Sequence, residues 1–385
     1  MRLNSSKSFL LLFISVLFSV TANAAMTPVP SPPQLAAKSY LLIDINSGRI
    51  LAEKNIDEAI EPASITKLMT AYIVYKELDA GRLSLNEKVT MKKKTWRKWR
   101  LQGSTIYLQE KQPATVDELL KGVIILSGND ATVALAEHIA DNESQFVDYM
   151  NQYAQALGMN DTHFINSTGW PHEQHITTAK DIATLAKAVI TEFPEHYKLY
   201  AEKEYTFNDI RQYNRNKLLW RDKSVDGLKT GHTESAGYCL VASAQRKDMR
   251  LISVVLGTKS EKSRADVSQS LLSYGFRFFE SNRLYGAGES LNETRVWLGE
   301  EEMLNLGLME DLHVTIPRGH YKHLDAVMDV NKDISAPVKK GQQLGTVRVM
   351  LNGEEILKKP LVALQTVDEG SFWQRTRDHI IQLFR

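Results

Sequence analysis

"SITKLMTAYIVYKEL" (64–78) begins with a serine, places a lysine three residues on, and then turns apolar for most of its length. Leu68–Tyr75 is apolar nearly all round, which marks a buried helix and not a surface one. Pro62 and Ser64 are helix-start signals. Ser64 and Lys67, at i and i+3, then project from one face of the first turn. A lysine there meets burial and the positive end of the helix dipole. Both favour the neutral amine, which can take the proton of the serine hydroxyl and needs no histidine to do so. By itself S-x-x-K is a weak signal, because a serine N-cap followed by a snorkelling lysine is the plainer account.

Two further stretches change that balance. "ILSGND" (125–130) interrupts two helical runs and sets Ser127 and Asn129 on a short loop. A second hydroxyl can relay protons between Lys67 and a leaving group, and the Asn129 amide can bind a substrate carbonyl. Asn129 or Asp130 would also serve as N-cap for "ATVALAEHIA". "LKTGHT" (228–233) reads as a strand: Lys229 adds a positive charge that opposes protonation of Lys67 and attracts an anionic substrate. Thr230 offers a hydroxyl, and Gly231 lets another backbone lie close against the strand edge. K-T-G alone is equally a hairpin strand with an exposed lysine.

The order S-x-x-K, S-x-N, K-T-G resembles the penicillin-binding protein and serine β-lactamase superfamily. "PASITKLMTAY", "SGNDA", "NSTGWP", "NRNKLLW", "VDGLKTGHT" and "GYCLVASA" look more closely like the low-molecular-mass penicillin-binding proteins, the D-alanyl-D-alanine carboxypeptidases, along nearly the whole chain. The resemblance implies that Ser64 attacks the carbonyl between two D-alanines of a peptidoglycan stem peptide, with Lys67 as base and Ser127 passing the proton to the departing D-alanine. It implies an oxyanion hole from the backbone N–H groups of Ser64 and His232. The terminal carboxylate would meet Thr230 and a cation, expected to be Arg264, while Arg215 in "NRN" buttresses the site. β-Lactams, which mimic the D-Ala-D-Ala end, would acylate Ser64. No cofactor is implied and no metal-ligand pattern is present.

Three other readings are weighed. A class A β-lactamase places E-x-x-L-N between the second and third motifs; the only such run here, "EEMLN" (301–305), follows K-T-G, and Glu173 lacks that setting. A D,D-endopeptidase would use the same chemistry with different acceptor-side space. A non-catalytic wall-binding protein predicts decay of one motif, and all three are intact.

The rest of the 385 residues is read around that site. Arg2, Lys7, the apolar run 9–20 and the small residues 22–24 form a signal-peptide pattern with cleavage after Ala24, which implies export to the periplasm. Residues 25–37 are a Pro-rich lead-in. A hairpin around Asn46-Ser47-Gly48, helical stretches at 64–79, 116–140, 144–157 and 179–192, strand-like runs from 225, and a helix at 262–280 give one α+β domain over 38–283, a penicillin-binding/serine β-lactamase-like antiparallel sheet with a helical cluster. Short strands over 286–365, with a hairpin signal at Asn352-Gly353, give a small all-β domain.

The segment 369–385 reads as an amphipathic helix with Trp373, Ile380, Ile381 and Phe384 on one side, either docked on the protein or lying in the outer surface of the inner membrane. It is too short to span. Cys239, the single cysteine, sits in an apolar run and reads as a buried small hydrophobe. A net charge of +1 gives no global pull toward nucleic acid. "MKKKTWRKWR" (91–100) is the local exception. It reads as a solvated loop or as a contact with anionic membrane or glycan near the active site.

Overall fold

The computed structural model describes residues 29–384; the expected signal peptide lies outside them. Strands β1 (Ser39–Asp44) and β2 (Ile50–Lys54) form the first hairpin, with Gly48 at a positive φ in its turn. They join β3 (Val225–Thr233), β4 (Gly237–Arg246) and β5 (Met249–Thr258) in an antiparallel sheet of order β2-β1-β5-β4-β3. The chain's start thus pairs with its middle: Tyr40 lies opposite Val255. Strands β1 and β5 are buried at nearly every position and β4 through its centre, as expected where both faces are covered. Cys239 in β4 is fully buried, and burial pushes its thiol up to about 11, so it acts as a core residue.

The helices explain the apolar run at 68–75. Helix α1 (Lys67–Asp79) is buried continuously from Lys67 to Tyr75. It is surrounded by α3 (Asn129–Ala140), α4 (Glu143–Ala156) and α5 (Ala179–Glu192), and a short α2 (Lys93–Trp99) packs against α3. The expected helix 116–140 is broken. Val116–Lys121 is capped by a Thr115/Glu118 box, loosens into a π-helical turn at Gly122–Leu126, and stops at Ser127, whose φ is +62°. π-Turns of this kind re-aim the chain at functional sites. Helix α6 (Glu261–Phe278) closes the sheet against β4 and β5.

The second region is all β. Strand β6 (Phe279–Tyr285) pairs with β9 (Leu312–Pro317), so it crosses the limit drawn at residue 283. Strands β7 (Asn292–Arg295), β8 (Met303–Gly307), β10 (Leu324–Val330), β11 (Gln343–Leu351) and β12 (Glu354–Ala363) form a sheet of order β7-β8-β12-β11-β10. Its own core includes Leu306, Val314, Val347 and Leu361. Asn352 and Gly353, both at positive φ, make the expected tight turn. The regions meet where Arg49 Nη1 donates to Thr315 O (2.6 Å) and Ser47 Oγ lies 2.5 Å from Thr315 Oγ1.

Helix α7 (Phe372–Leu383) docks by its polar side. Asp378, 2% exposed, accepts from Leu298 N (2.8 Å), and Arg377 pairs with Glu302 (2.6 Å). Phe372, Trp373, Ile380, Ile381, Leu383 and Phe384 remain exposed. Among the described residues no helix is long and apolar enough to cross a membrane.

Candidate active site

Ser64 stands on a 3-10 turn, Ala63–Thr66, that feeds α1. Ala63 has φ +48°, a left-handed conformation costly for a residue with a Cβ. That kink brings the turn against two glycines. A Cβ on Gly231 would sit 2.9 Å from Pro62 O, and one on Gly169 would sit 1.8 Å from Ala63 O. The close approach anticipated for Gly231 is therefore with the turn that carries Ser64. Behind it, Thr66 Oγ1 lies 2.9 Å from His175 Nε2. Burial lowers His175 to about 4, so the ring is neutral; Ile165 N donates to Nδ1, which leaves Nε2 to donate to Thr66.

Lys67, the first residue of α1, is 1% exposed. Its Nζ lies 3.1 Å from Ser64 Oγ, 2.7 Å from Asn129 Oδ1 and 2.6 Å from Thr168 O. Desolvation, helped by the Arg215 charge, lowers its pKa to about 7, against the opposing pull of Asp130 and Glu143. A neutral amine has two N–H donors and one lone pair. Asn129 Oδ1 and Thr168 O carry no proton and take the two donors, which leaves the lone pair facing the Ser64 hydroxyl.

Ser127 and Asn129 follow the π-turn. Asn129 is not the N-cap: Gly128 holds that place, and the Asn129 side chain bridges Lys67 to Gln102 O, to which Nδ2 donates (3.0 Å). Asp130 accepts from Ile106 N, Leu108 N and Ala131 N, fastening the 104–108 segment to α3. Ser127 Oγ accepts from Lys229 Nζ (2.7 Å), which projects from β3. Burial first, then the Lys67, Arg215 and Arg264 charges, push Lys229 well below the ordinary lysine value, so full charges on Lys67 and Lys229 together are disfavoured.

β3 is an edge strand, with one row of backbone groups free of sheet partners. Two arms of one cleft meet at Ser64, Gly103, Ser104 and His232. The first, about 440 Å3, is lined by Ser127, Thr230, Arg215 and Arg264; the second, about 680 Å3, by Asn129, Thr168, Trp170 and Glu234. Arg264, expected to meet the carboxylate, is 5% exposed, donates to Gly231 O (3.2 Å) and stands 3.6 Å from Glu261. Arg215, expected to buttress, is exposed in the same arm and makes no ion pair among the described residues. The buttressing falls to its neighbours: Asn216 Nδ2 donates to Gly227 O, and Asn214 Oδ1 accepts from Asn216 N.

Eight of the ten expected site residues line this cleft, and the buried Lys67 and Lys229 reach it through Ser64 and Ser127. Sequence reasoning missed Thr168, whose contribution is a backbone carbonyl. Asn166 Oδ1 accepts from Gly169 N (2.8 Å) and Trp170 N (2.9 Å), a turn that aims Thr168 O at Lys67. "NSTG" carried the signal: asparagine followed by glycine at turn spacing. "EEMLN" lies around β8, in the all-β region, and Glu173 lines neither arm.

Comparison with known proteins identifies the family. Residues 26–260 match the peptidase S11 family, described as D-alanyl-D-alanine carboxypeptidase, and residues 279–369 match the penicillin-binding protein 5 C-terminal domain. D-alanyl-D-alanine carboxypeptidase DacC of Escherichia coli is 44% identical over 96% of this chain and 93% of its own. The crystal structure of penicillin-binding protein 5 from Haemophilus influenzae superposes with a TM-score of 0.86 at 41% identity, covering 88% of this chain and 100% of the other. Penicillin-binding protein 6B from Escherichia coli gives 0.74 at 35% identity, covering 87% of this chain and 97% of the other. With all three motifs converging on one cleft, the chain belongs to the D-alanyl-D-alanine carboxypeptidase family, peptidase S11, and carries the C-terminal domain of penicillin-binding protein 5.

Proposed function

We propose that the protein removes the terminal D-alanine from peptidoglycan stem pentapeptides through a Ser64 acyl-enzyme. The observation that carries this is the buried Lys67 Nζ 3.1 Å from Ser64 Oγ, with the acceptors Asn129 Oδ1 and Thr168 O beside it to take the two N–H groups of the neutral amine. Lys67 takes the hydroxyl proton as Ser64 Oγ bonds to the penultimate D-alanine carbonyl. The oxyanion is held by the backbone N–H groups of Ser64 and His232. As the C–N bond breaks, Ser127 gives its proton to the departing amine and is resupplied from Lys67. Water then hydrolyses the ester and frees Ser64.

The cationic arm takes the leaving residue. Its carboxylate meets Thr230 and Arg215, which is free to reach it, while Arg264 holds the strand through Gly231 and adds charge. An arriving anion also restores charge to Lys229, whose ammonium then orients Ser127. The larger arm takes the acyl side of the peptide, with Asn129 on the substrate carbonyl and Trp170 forming one wall. β-Lactams enter the same cleft and acylate Ser64.

The exposed apolar side of α7 supports peripheral attachment to the outer face of the inner membrane, because aliphatic and aromatic groups are presented outward while the polar side is docked. The signal-peptide pattern at the start of the sequence supports a periplasmic location. Incubation with diacetyl-Lys-D-Ala-D-Ala tests the reaction: free D-alanine is released by the wild type and not by Ser64→Ala. Labelled penicillin found on any side chain other than Ser64 refutes the mechanism.

A further inference from the structure

The basic stretch at 91–100 has no part in that reaction, yet it is built with care. It is α2, a helix and not a loop. Trp96 Nε1 donates to Leu108 O (2.7 Å), Thr95 Oγ1 to Glu137 (2.7 Å), and Lys93 pairs with Glu110 (2.8 Å). Trp99 is 2% exposed and meets Trp170 edge to face at 5.6 Å. Trp170 in turn lines the larger arm of the cleft. Three residues beyond Arg100 the chain reaches Gly103 and Ser104, which line both arms.

Lys92 donates to Asp141 O, and four cations are left over. Lys94, Arg97, Lys98 and Arg100 are exposed and, among the described residues, none makes an ion pair. Lys98 sits 4.8 Å over the Trp99 ring and Arg100 5.2 Å over the Trp96 ring, so two of them are held in place on aromatic faces. Locally they do the helix harm. Lys94/Lys98 and Lys93/Arg97 are like-charge pairs at i,i+4, which destabilise a helix. Lys93 and Lys94 also stand at the positive end of the helix dipole. What compensates such a patch is an anion from outside.

We propose that the free cations of α2 are a landing surface for the carboxylates of neighbouring stem peptides on polymeric peptidoglycan, holding the wall polymer beside the cleft mouth. This rests on the reading of the cleft as a D-Ala-D-Ala site. A phospholipid surface fits less well. Its headgroups would cover the cleft lip, and the helix turns its Trp99 inward where an interfacial helix turns its aromatic side out. The carboxylates of a stem peptide, including the free α-carboxyl of a γ-linked glutamate, lie within the same polymer as the scissile bond. Capture therefore raises the local substrate concentration, in the manner of electrostatic steering.

The test compares two substrates. D-Alanine release is measured from pentapeptide-rich peptidoglycan and from diacetyl-Lys-D-Ala-D-Ala, for the wild type and for Lys94→Gln/Arg97→Gln/Lys98→Gln/Arg100→Gln. Lys94→Gln/Arg97→Gln, which disturbs neither tryptophan contact, is run alongside. The expected result is a fall of about 10-fold in kcat/KM on the polymer for the quadruple variant and about 3-fold for the double, with no change on the tripeptide. About 0.5 M salt should bring the wild type down to the variants. Equal rates on the polymer overturn the proposal, as does an equal loss on the tripeptide. So does weaker sedimentation with anionic phospholipid vesicles at unchanged polymer turnover. A wild type that releases no D-alanine from the tripeptide overturns the reading of the cleft instead.

Discussion

Asn129→Asp replaces a neutral oxygen by a charged one while keeping the shape, at 2.7 Å from Lys67 Nζ. At that distance a full charge in an effective dielectric of about 20 is worth about 6 kcal/mol. That is an upper bound of about 4 pH units on Lys67. The carboxylate spreads its charge over two oxygens and is itself desolvated, so a shift of about 2 units is expected, within the usual range for an opposite charge in contact. Lys67 then moves from about 7 in the wild type to about 9. At pH 7 the neutral fraction falls from about one half to about 1%, so acylation should slow about 50-fold.

The assay is kcat/KM for diacetyl-Lys-D-Ala-D-Ala from pH 5 to about 10, with the acylation rate by a labelled penicillin as a second probe. The wild type should rise through about pH 7 as Lys67 loses its proton. The variant should rise about 2 units later and recover most of its activity there. Stability gives an independent sign. Because folding lowers the lysine pKa, the unfolded chain binds more protons between about 7 and the ordinary lysine value, and stability rises with pH across that window. In the variant the window narrows from its lower end, so the rise begins later. A uniform loss at every pH, with the acid limb unmoved, would mean that Asn129 serves the substrate alone and that Lys67 is not the base.

Gly169→Ala forces an L side chain to φ +81° and places its Cβ 1.8 Å from Ala63 O. We expect a loss of about 2 kcal/mol or more in urea unfolding and about 100-fold in kcat, since the displaced carbonyl adjoins Ser64. Arg215→Gln should raise KM for the tripeptide about 10-fold or more with little loss of stability, whereas Arg264→Gln, which gives up a buried bond to Gly231, should lower the melting temperature as well. Phe372→Ser/Trp373→Ser/Ile380→Ser in α7 should abolish sedimentation with membranes at unchanged tripeptide turnover; persistent binding refutes the anchor.

Ser64, Lys67, Ser127, Asn129 and Lys229 were legible because each is a side chain in a short motif, and for Ser64 and Lys67 the i,i+3 spacing already implies a shared face. Their closure was not, because it is made by groups without a side-chain signature. The third partner of Lys67 is the Thr168 carbonyl, about 100 residues away, aimed by an asparagine-headed turn. The arginines show the same limit from the other side. Composition offers two cations for one carboxylate, and only burial separates Arg264, held on Gly231, from the exposed Arg215. At the far end, the apolar stripe of α7 was visible but its orientation was not. Long-range polar contacts set it: Asp378, sealed against Leu298, and Arg377, paired with Glu302, hold the polar side to the protein and leave the aromatic face out. In α2 the stretch "KKTWRKW" interleaves four cations with two rings, and only packing shows that Trp99 turns in and the free cations out. In each of these places the pattern was present in the sequence and its direction was set by long-range polar or ring contacts. Substitutions at Asn166, Asp378 and Trp170 should therefore disturb function more than their distance from Ser64 in the sequence suggests.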